Sequence, residues 1–99
     1  MKLISLPHAL LATQNALLGV ITPELRAVIV DIDEEAKLFY IRFYYDGPST
    51  EEHIDLWECA ITEASADLGI HCLLDNKVER LDYPQKFPFR GRYAYWRKE

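Results

Sequence analysis

The stretch LFYIRFYY, residues Leu38–Tyr45, contains neither glycine nor proline and consists mainly of aromatic side chains and isoleucine, which favour β-strands. Because successive side chains of a strand point to opposite faces, these residues separate into two sets. One face carries Phe39, Ile41, Phe43 and Tyr45, and the other carries Tyr40, Arg42 and Tyr44. The first face is apolar apart from one phenol, so we expect a strand in the middle of an antiparallel sheet, with helices covering that face.

The segment before this strand predicts a hairpin. Arg26–Ile32, RAVIVDI, has the composition of a strand, and residues 33–37, DEEAK, form a charged loop of hairpin length. Asp46-Gly47-Pro48 follows the central strand and marks its end, because these residue types favour turns.

A first helix is predicted over about residues 6–18. Ser5 can cap its start, and Pro7 is tolerated in a first helical turn. The expected apolar stripe consists of Leu10, Leu11, Leu17 and Leu18. Gly19 is a suitable end.

A second helix follows the capping box Ser49-Thr50-Glu51-Glu52, in which the serine hydroxyl and a glutamate side chain satisfy free backbone amides. Its core-facing stripe, at alternating spacings of three and four, is Ile54, Trp57, Ile61, Ala64 and Leu68. Gly69 ends the helix. We expect Trp57 to lie over the apolar face of the central strand.

The rest of the chain supplies two more strands. Residues 70–74 form either a short strand or an extended connector, Lys77–Tyr83 is a strand, residues 84–91 are irregular, and Arg92–Trp96 is the last strand. Sequential strands pair most often. We therefore expect a single domain, residues 1–99, with an α+β fold in α-β-β-α-β-β order: two layers, a four-stranded, mainly antiparallel sheet, and helices packed on one face.

Composition excludes several classes of protein. Hydrophobic residues make up 49% of the chain, enough for an ordinary core, yet no run of 18 apolar residues could span a membrane. Polar residues and Pro7 interrupt the N-terminal stretch MKLISLPHALLATQNALLGV, so we interpret it as a mature amphipathic helix rather than a signal peptide. Two cysteines do not make a disulfide framework, which favours a reducing, cytoplasmic location.

No motif indicates catalysis, a metal or a cofactor. The available soft metal ligands are His53, Cys59, His71 and Cys72, and they lack CxxC or HxxxH spacing. The four glycines are scattered singly, so there is no glycine-rich phosphate loop. No local signature marks a nucleophile with its base. No local pattern of residues therefore marks a catalytic, metal or cofactor site.

Charge is distributed unevenly. The formal net charge is −5, and the segment from Asp46 to Asn76 holds eight acidic residues and no Lys or Arg. Lys77–Glu99 reverses the balance, with seven basic and three acidic residues. Either the two segments neutralise each other across the fold, or the chain presents an acidic face to a basic partner.

The C-terminal segment RGRYAYWRK, residues 90–98, interleaves arginines with aromatics. Such a segment could bind single-stranded RNA, through Arg90, Arg92, Tyr93, Tyr95, Trp96 and Arg97. The simpler interpretation is a strand with Tyr93 and Tyr95 on one face and Arg92, Ala94 and Trp96 on the other. An acidic chain and a short run favour the simpler one.

Several pieces of the sequence resemble one family. LRAV, IRFYYDG, STEE, AITEASAD, RLDYP and YWRKE are similar to segments of small bacterial immunity proteins of toxin–immunity pairs, including those of contact-dependent growth inhibition. The resemblance covers residues 25–99. It implies a cytosolic, non-enzymatic protein that binds and blocks the C-terminal toxin domain of a secreted effector. Many such toxins are nucleases with basic clefts, and a ribonuclease is our first expectation.

This resemblance and the charge pattern predict the residues that contact the toxin. Asp46, Glu51, Glu52, Asp55 and Glu58 are the expected charged contacts. Tyr40, Arg42, Tyr44 and Trp96 are the expected aromatic or arginine anchors on the open face of the sheet, because Tyr, Trp and Arg are enriched at interface hot spots. The alternatives are an RNA-binding or RNA-processing protein that uses the C-terminal segment, and an adaptor or homodimer without a toxin.

Overall fold

The structure, a computed structural model, describes residues 5–69 and 72–99. The helices and strands follow the expected order: α1 (Leu6–Ala16), β1 (Leu25–Asp33), β2 (Leu38–Tyr45), α2 (Glu51–Leu68), β3 (Leu73–Arg80) and β4 (Arg92–Trp96). Both helices pack against one face of the sheet. The expected α+β fold is therefore confirmed.

The four strands form one sheet in the order β3-β2-β1-β4. β1 is antiparallel to both β2 and β4, whereas β2 and β3 are parallel. The sheet is thus mixed, and the rule that sequential strands pair fails for β3 and β4. β2 and β3 can be parallel because α2 provides the crossover connection that a parallel pair requires. Residues 81–91 must then pass across the opposite face of the sheet to bring β4 beside β1.

The main core lies between the sheet and the helices. Phe39, Ile41 and Phe43 are fully buried there together with Trp57 of α2. The Trp57 ring lies 6.4 Å from that of Phe43, and its indole N–H donates a 3.0 Å hydrogen bond to the carbonyl of Val20. The predicted cover of the apolar face of β2 is confirmed.

The buried face of α1 differs from the predicted leucine stripe. Of the four predicted leucines, Leu17 is buried and Leu10 packs against the core, whereas Leu11 and Leu18 are 57% and 79% exposed. The buried residues of α1 are Ala9, Ala12, Thr13 and Ala16. Small side chains allow α1 to pack closely on α2, whereas leucines at the contact would hold the helices apart.

A second, smaller core lies on the opposite face of the sheet. Its buried members are Ala27, Ile29 and Tyr44, and Leu81, Phe87 and Phe89 pack against them. We predicted that Tyr44 lies on an open face of β2, and this prediction is wrong, because Tyr44 is only 2% exposed. The connection of residues 81–91 covers it, because this connection has to cross that face to reach β4.

A shift in the register between β1 and β4 changes which side chains of β4 share a face. The register between β1 and β4 shifts at Ala94, so Ala94 and Tyr95 both pack on the helix-side core. Tyr93 and Trp96 instead lie together, with ring centroids 4.9 Å apart. The predicted strict alternation, with Tyr93 and Tyr95 on one face, is wrong because a bulge adds one residue to this strand.

β3 lies earlier in the chain than the predicted Lys77–Tyr83. It ends at Arg80, because Leu81 and Asp82 turn away toward the connection. The Asp82 carboxylate accepts a 2.7 Å hydrogen bond from the backbone N–H of Gly47, which ties this turn to the end of β2.

Two features considered in the sequence analysis extend beyond the described residues. The stretch tested as a signal peptide begins with residues 1–4, and the extended segment 70–74 begins with residues 70 and 71. Across the ranges 5–69 and 72–99, no helix has both the length and the apolar character needed to cross a membrane.

Candidate functional site

The outward side of α2 is an exposed row of carboxylates. We define the acidic face as Glu51, Glu52, Asp55, Glu58 and Glu63, all of which are exposed. Among the residues that the structure describes, none of the five forms an ion pair. The acidic face is therefore available to a partner.

Helix capping and the helix dipole explain only part of this acidic face. The Thr50 hydroxyl, rather than the predicted Ser49, caps α2 and accepts a 3.2 Å hydrogen bond from the N–H of His53. Glu51 and Glu52 in the first turn also suit the positive end of the helix dipole. Asp55 repeats the charge of Glu51 one turn later, and such like pairs cost a helix a few tenths of a kcal/mol. Helix stability therefore does not account for the whole row.

Three carboxylates of the acidic segment have side-chain partners within the fold. Asp46 lies 3.0 Å from Arg97, and Asp75 lies 3.0 Å from Arg42. Asp67 lies 3.8 Å from the imidazole of His8. Both interpretations of the charge pattern hold in part: the flanking carboxylates pair within the molecule, while the acidic face in the middle does not.

The expected anchors of β2 are mostly covered. Arg42 donates a 2.7 Å hydrogen bond to the carbonyl of Asp75 and stacks 4.7 Å from the centre of the Phe89 ring. Tyr40 lies 5.9 Å from the same ring and is partly buried. Burial of Tyr44 raises the pKa of its hydroxyl. These three side chains hold the connection against the sheet and offer little free surface.

A buried ion pair that the sequence analysis did not predict lies beneath the connection. The guanidinium of Arg26 is 3% exposed and donates hydrogen bonds of 2.7 and 3.0 Å to the carboxylate of Glu99. It also donates to the carbonyls of Leu81 and Gln85, at 2.7 and 3.0 Å. The hydrogen bond from Arg26 holds the pKa of the Glu99 carboxyl at about 2, well below its ordinary value of 4.5. The only sequence signal was an arginine that opens the otherwise apolar run RAVIV.

Above this pair lies a surface cleft of about 510 Å³. We define the aromatic cleft as the space between Tyr83, Phe87, Tyr93 and Trp96. Tyr93 and Trp96 stack on each other, and the edge of Phe87 meets both rings. Trp96 and Tyr83 are 58% and 56% exposed. Of the predicted anchors, Trp96 is thus the one that stands open to solvent.

The residues of the RNA-binding alternative do not stay together. Arg97 lies 3.0 Å from Asp46 and 3.1 Å from Glu99, and Tyr95 packs on the helix-side core. Arg90 and Arg92 are exposed. The continuous row of cations and rings that the sequence suggested is therefore divided between two faces of the sheet.

The described residues hold no group of three or more His, Cys, Asp or Glu side chains suited to a metal ion. Cys59 is exposed, whereas burial raises the pKa of the Cys72 thiol. His71, another candidate ligand, lies outside the described residues.

Comparison with protein families shows which family the chain resembles. The model described as MafI2 immunity protein matches residues 7–99, almost the whole chain. No curated protein matches the chain.

Proposed function

The chain belongs to the MafI2 immunity protein family, and on that basis we propose that it binds and neutralises the C-terminal toxin domain of a cognate secreted effector. The family match is the observation that carries this proposal. In this proposal, the protein acts in the cytoplasm as a stoichiometric inhibitor and catalyses no reaction of its own.

The acidic face of α2 is the surface that we assign to the toxin. Its five carboxylates are exposed and form no ion pair within the described residues. A nuclease binds the phosphates of its substrate with Lys and Arg, so a row of carboxylates can occupy the same cleft. We therefore propose a nuclease as the toxin, with a ribonuclease as the first class to test.

The proposed contact has a kinetic signature. Complementary charge steers diffusing partners and raises association rates by about 10- to 1000-fold at low ionic strength. Because the Debye length is only about 8 Å at physiological ionic strength, added salt weakens this attraction. The association rate with the toxin domain should therefore fall steeply as salt is added.

Two matched charge reversals test this surface. Asp55→Lys with Glu58→Lys alters the acidic face, and Glu34→Lys with Glu35→Lys alters the exposed loop between β1 and β2. Each pair moves the formal net charge from −5 to −1. Stopped-flow association with the cognate toxin domain should slow by about 10-fold or more for the α2 variant and by about 2-fold for the loop variant.

The possible results distinguish the assignment of the acidic face from the proposed immunity function. Equal slowing of association in both variants would show that only net charge matters, and the acidic face would no longer be the assigned contact surface. Failure of the unaltered chain to bind the toxin domain, or to rescue growth of cells that express it, would overturn the immunity function itself.

The nature of the toxin has its own test. A fluorescent RNA is incubated with the toxin domain, and its cleavage is followed as the immunity protein is added. Cleavage that stops at a one-to-one ratio supports a ribonuclease toxin. A toxin domain that arrests growth but cleaves neither RNA nor DNA would contradict the nuclease assignment.

A further inference from the structure

The aromatic cleft lies on the opposite face of the sheet from α2, and the proposed toxin contact does not use it. We propose that this cleft is a second protein-docking surface, and that its occupant is a peptide segment with an aromatic side chain flanked by carboxylates. This inference goes beyond the proposed function, because it depends on neither the toxin nor the acidic face.

Exposed aromatic area concentrates at this cleft. Trp96 and Tyr83 are more than half exposed, and Tyr93 is 42% exposed. Trp and Tyr are the residues most enriched at interface hot spots, where a large ring is buried by a partner. Three such rings around one concavity can enclose a partner's ring on several sides.

The floor of the cleft is already ordered. Arg26 is fixed by Glu99 and by the carbonyls of Leu81 and Gln85. Its guanidinium also lies 4.5 Å from the centre of the Phe87 ring. Because these side chains are held before any partner arrives, binding loses little conformational entropy on this side.

Charge indicates the chemistry of the occupant. Lys86 and Arg90 line the cleft, are exposed, and form no ion pair within ranges 5–69 and 72–99. Glu99, the lining carboxylate, already binds Arg26 and Arg97. The free charges of the lining are therefore positive, which favours carboxylates beside the bound ring.

The same observations favour a peptide over RNA. Tyr93 and Trp96 stack on each other, so they do not form two separate platforms on which successive bases could stack. Single-stranded nucleic acid also requires a groove of cations along its backbone. Here Arg97 is paired with Asp46, and the whole chain is acidic.

An NMR titration of the full chain tests the proposal with defined probes. The blocked peptide EWDLE should shift the indole N–H of Trp96 and the amide of Tyr93, with a Kd of about 1 mM or tighter. The blocked peptide KWKLK keeps the aromatic ring and reverses the charge. It should bind about 10-fold more weakly, and decauridylate should leave these signals unchanged.

Matched variants locate the binding. Trp96→Ala should weaken EWDLE binding about fivefold or more, whereas Leu18→Ala, which removes an exposed apolar side chain outside the cleft, should not. Arg90→Glu should also weaken it, with Lys37→Glu in the β1–β2 loop as its control. Since Arg90→Glu alters an exposed side chain and keeps every ring, it tests the site even if Trp96→Ala fails to fold.

Three results would overturn the proposal: no shift at Trp96 with EWDLE up to about 10 mM, equal binding of KWKLK, or decauridylate shifting the same signals. The last would assign the cleft to nucleic acid. Because no probe contains the toxin, failure here leaves the immunity function untouched, and failure of toxin binding leaves this titration valid.

Discussion

Replacing Glu99 with glutamine tests the buried ion pair that supports the connection of residues 81–91. The change keeps the size of the side chain but removes the charge that faces Arg26, whose side chain is 3% exposed. A buried cation without its anion is strongly destabilising. We therefore expect Glu99→Gln to lower the free energy of unfolding at neutral pH.

The size of the effect follows from the pKa. The pKa of the Glu99 carboxyl is about 2 in the folded protein, against its ordinary value of 4.5. At about 1.36 kcal/mol per pKa unit, this difference corresponds to about 3 kcal/mol above about pH 5. Water still reaches this carboxylate, since its side chain is 10% exposed, and screening lowers our expectation to about 2 kcal/mol.

The pH dependence has a defined sign. Between about pH 4.5 and pH 2 the unfolded chain binds a proton at Glu99 that the folded protein does not. The stabilisation is therefore complete above the unfolded pKa and is lost as the pH falls through that range. The difference between the wild type and Glu99→Gln should shrink to less than about half at pH 3.

Urea unfolding followed by circular dichroism at pH 7 and pH 3 measures both quantities. Glu63→Gln is the matched control, because Glu63 is exposed on α2 and should change stability by less than about 0.5 kcal/mol. Should Glu99→Gln match the wild type within about 0.5 kcal/mol at pH 7, or should its deficit persist undiminished at pH 3, the pairing with Arg26 is not what stabilises this region.

Three further substitutions address the fold, each by urea unfolding at neutral pH. Gly91→Ala should cost about 1–3 kcal/mol, because its Cβ would lie 2.5 Å from the carbonyl oxygen of Val30; full stability would show that the connection can shift away from β1. Trp57→Phe should cost about 1–3 kcal/mol, since it loses the hydrogen bond to Val20, and an unchanged midpoint would contradict that role. Thr50→Ala should cost about 1 kcal/mol by removing the cap of α2, and a loss below about 0.3 kcal/mol would argue against the cap.

Local patterns predicted the elements well where one periodicity applied throughout. The bounds Leu38–Tyr45 and Arg92–Trp96 agree with the structure, and the stripe of α2 around Trp57 faces the core as expected. The leucine stripe of α1 was right for Leu10 and Leu17 and wrong for Leu11 and Leu18, because packing between helices depends on the size of the side chains as well as their hydrophobicity.

The order of the strands could not be predicted from pairing in sequence. The length of the connection, residues 81–91, was the available signal, because it is far longer than a hairpin loop. Its two phenylalanines, Phe87 and Phe89, alternate as a covering strip would and pack on the second face. That cover turned the expected open face of β2 into a second core.

The sequence predicted one of the two candidate surfaces, the acidic face, better than the other, the aromatic cleft. The acidic face lies on one helix, so helical spacing alone placed its carboxylates together. The aromatic cleft combines Tyr83 and Phe87 of the connection with Tyr93 and Trp96 of β4. Only the crossing over the sheet and the bulge at Ala94 bring these rings together, and neither feature has a local sequence signature.

The position of β1 between β2 and β4 has a consequence for how the protein is made. Domains begin to fold from their N-terminal part while the ribosome is still extending the chain. Until residues 81–96 emerge, one edge of β1 has no strand beside it and the second face, including Tyr44, has no cover. An open edge beside apolar surface invites aggregation, so a translational pause near residue 80 should be more damaging to yield than a pause before β1.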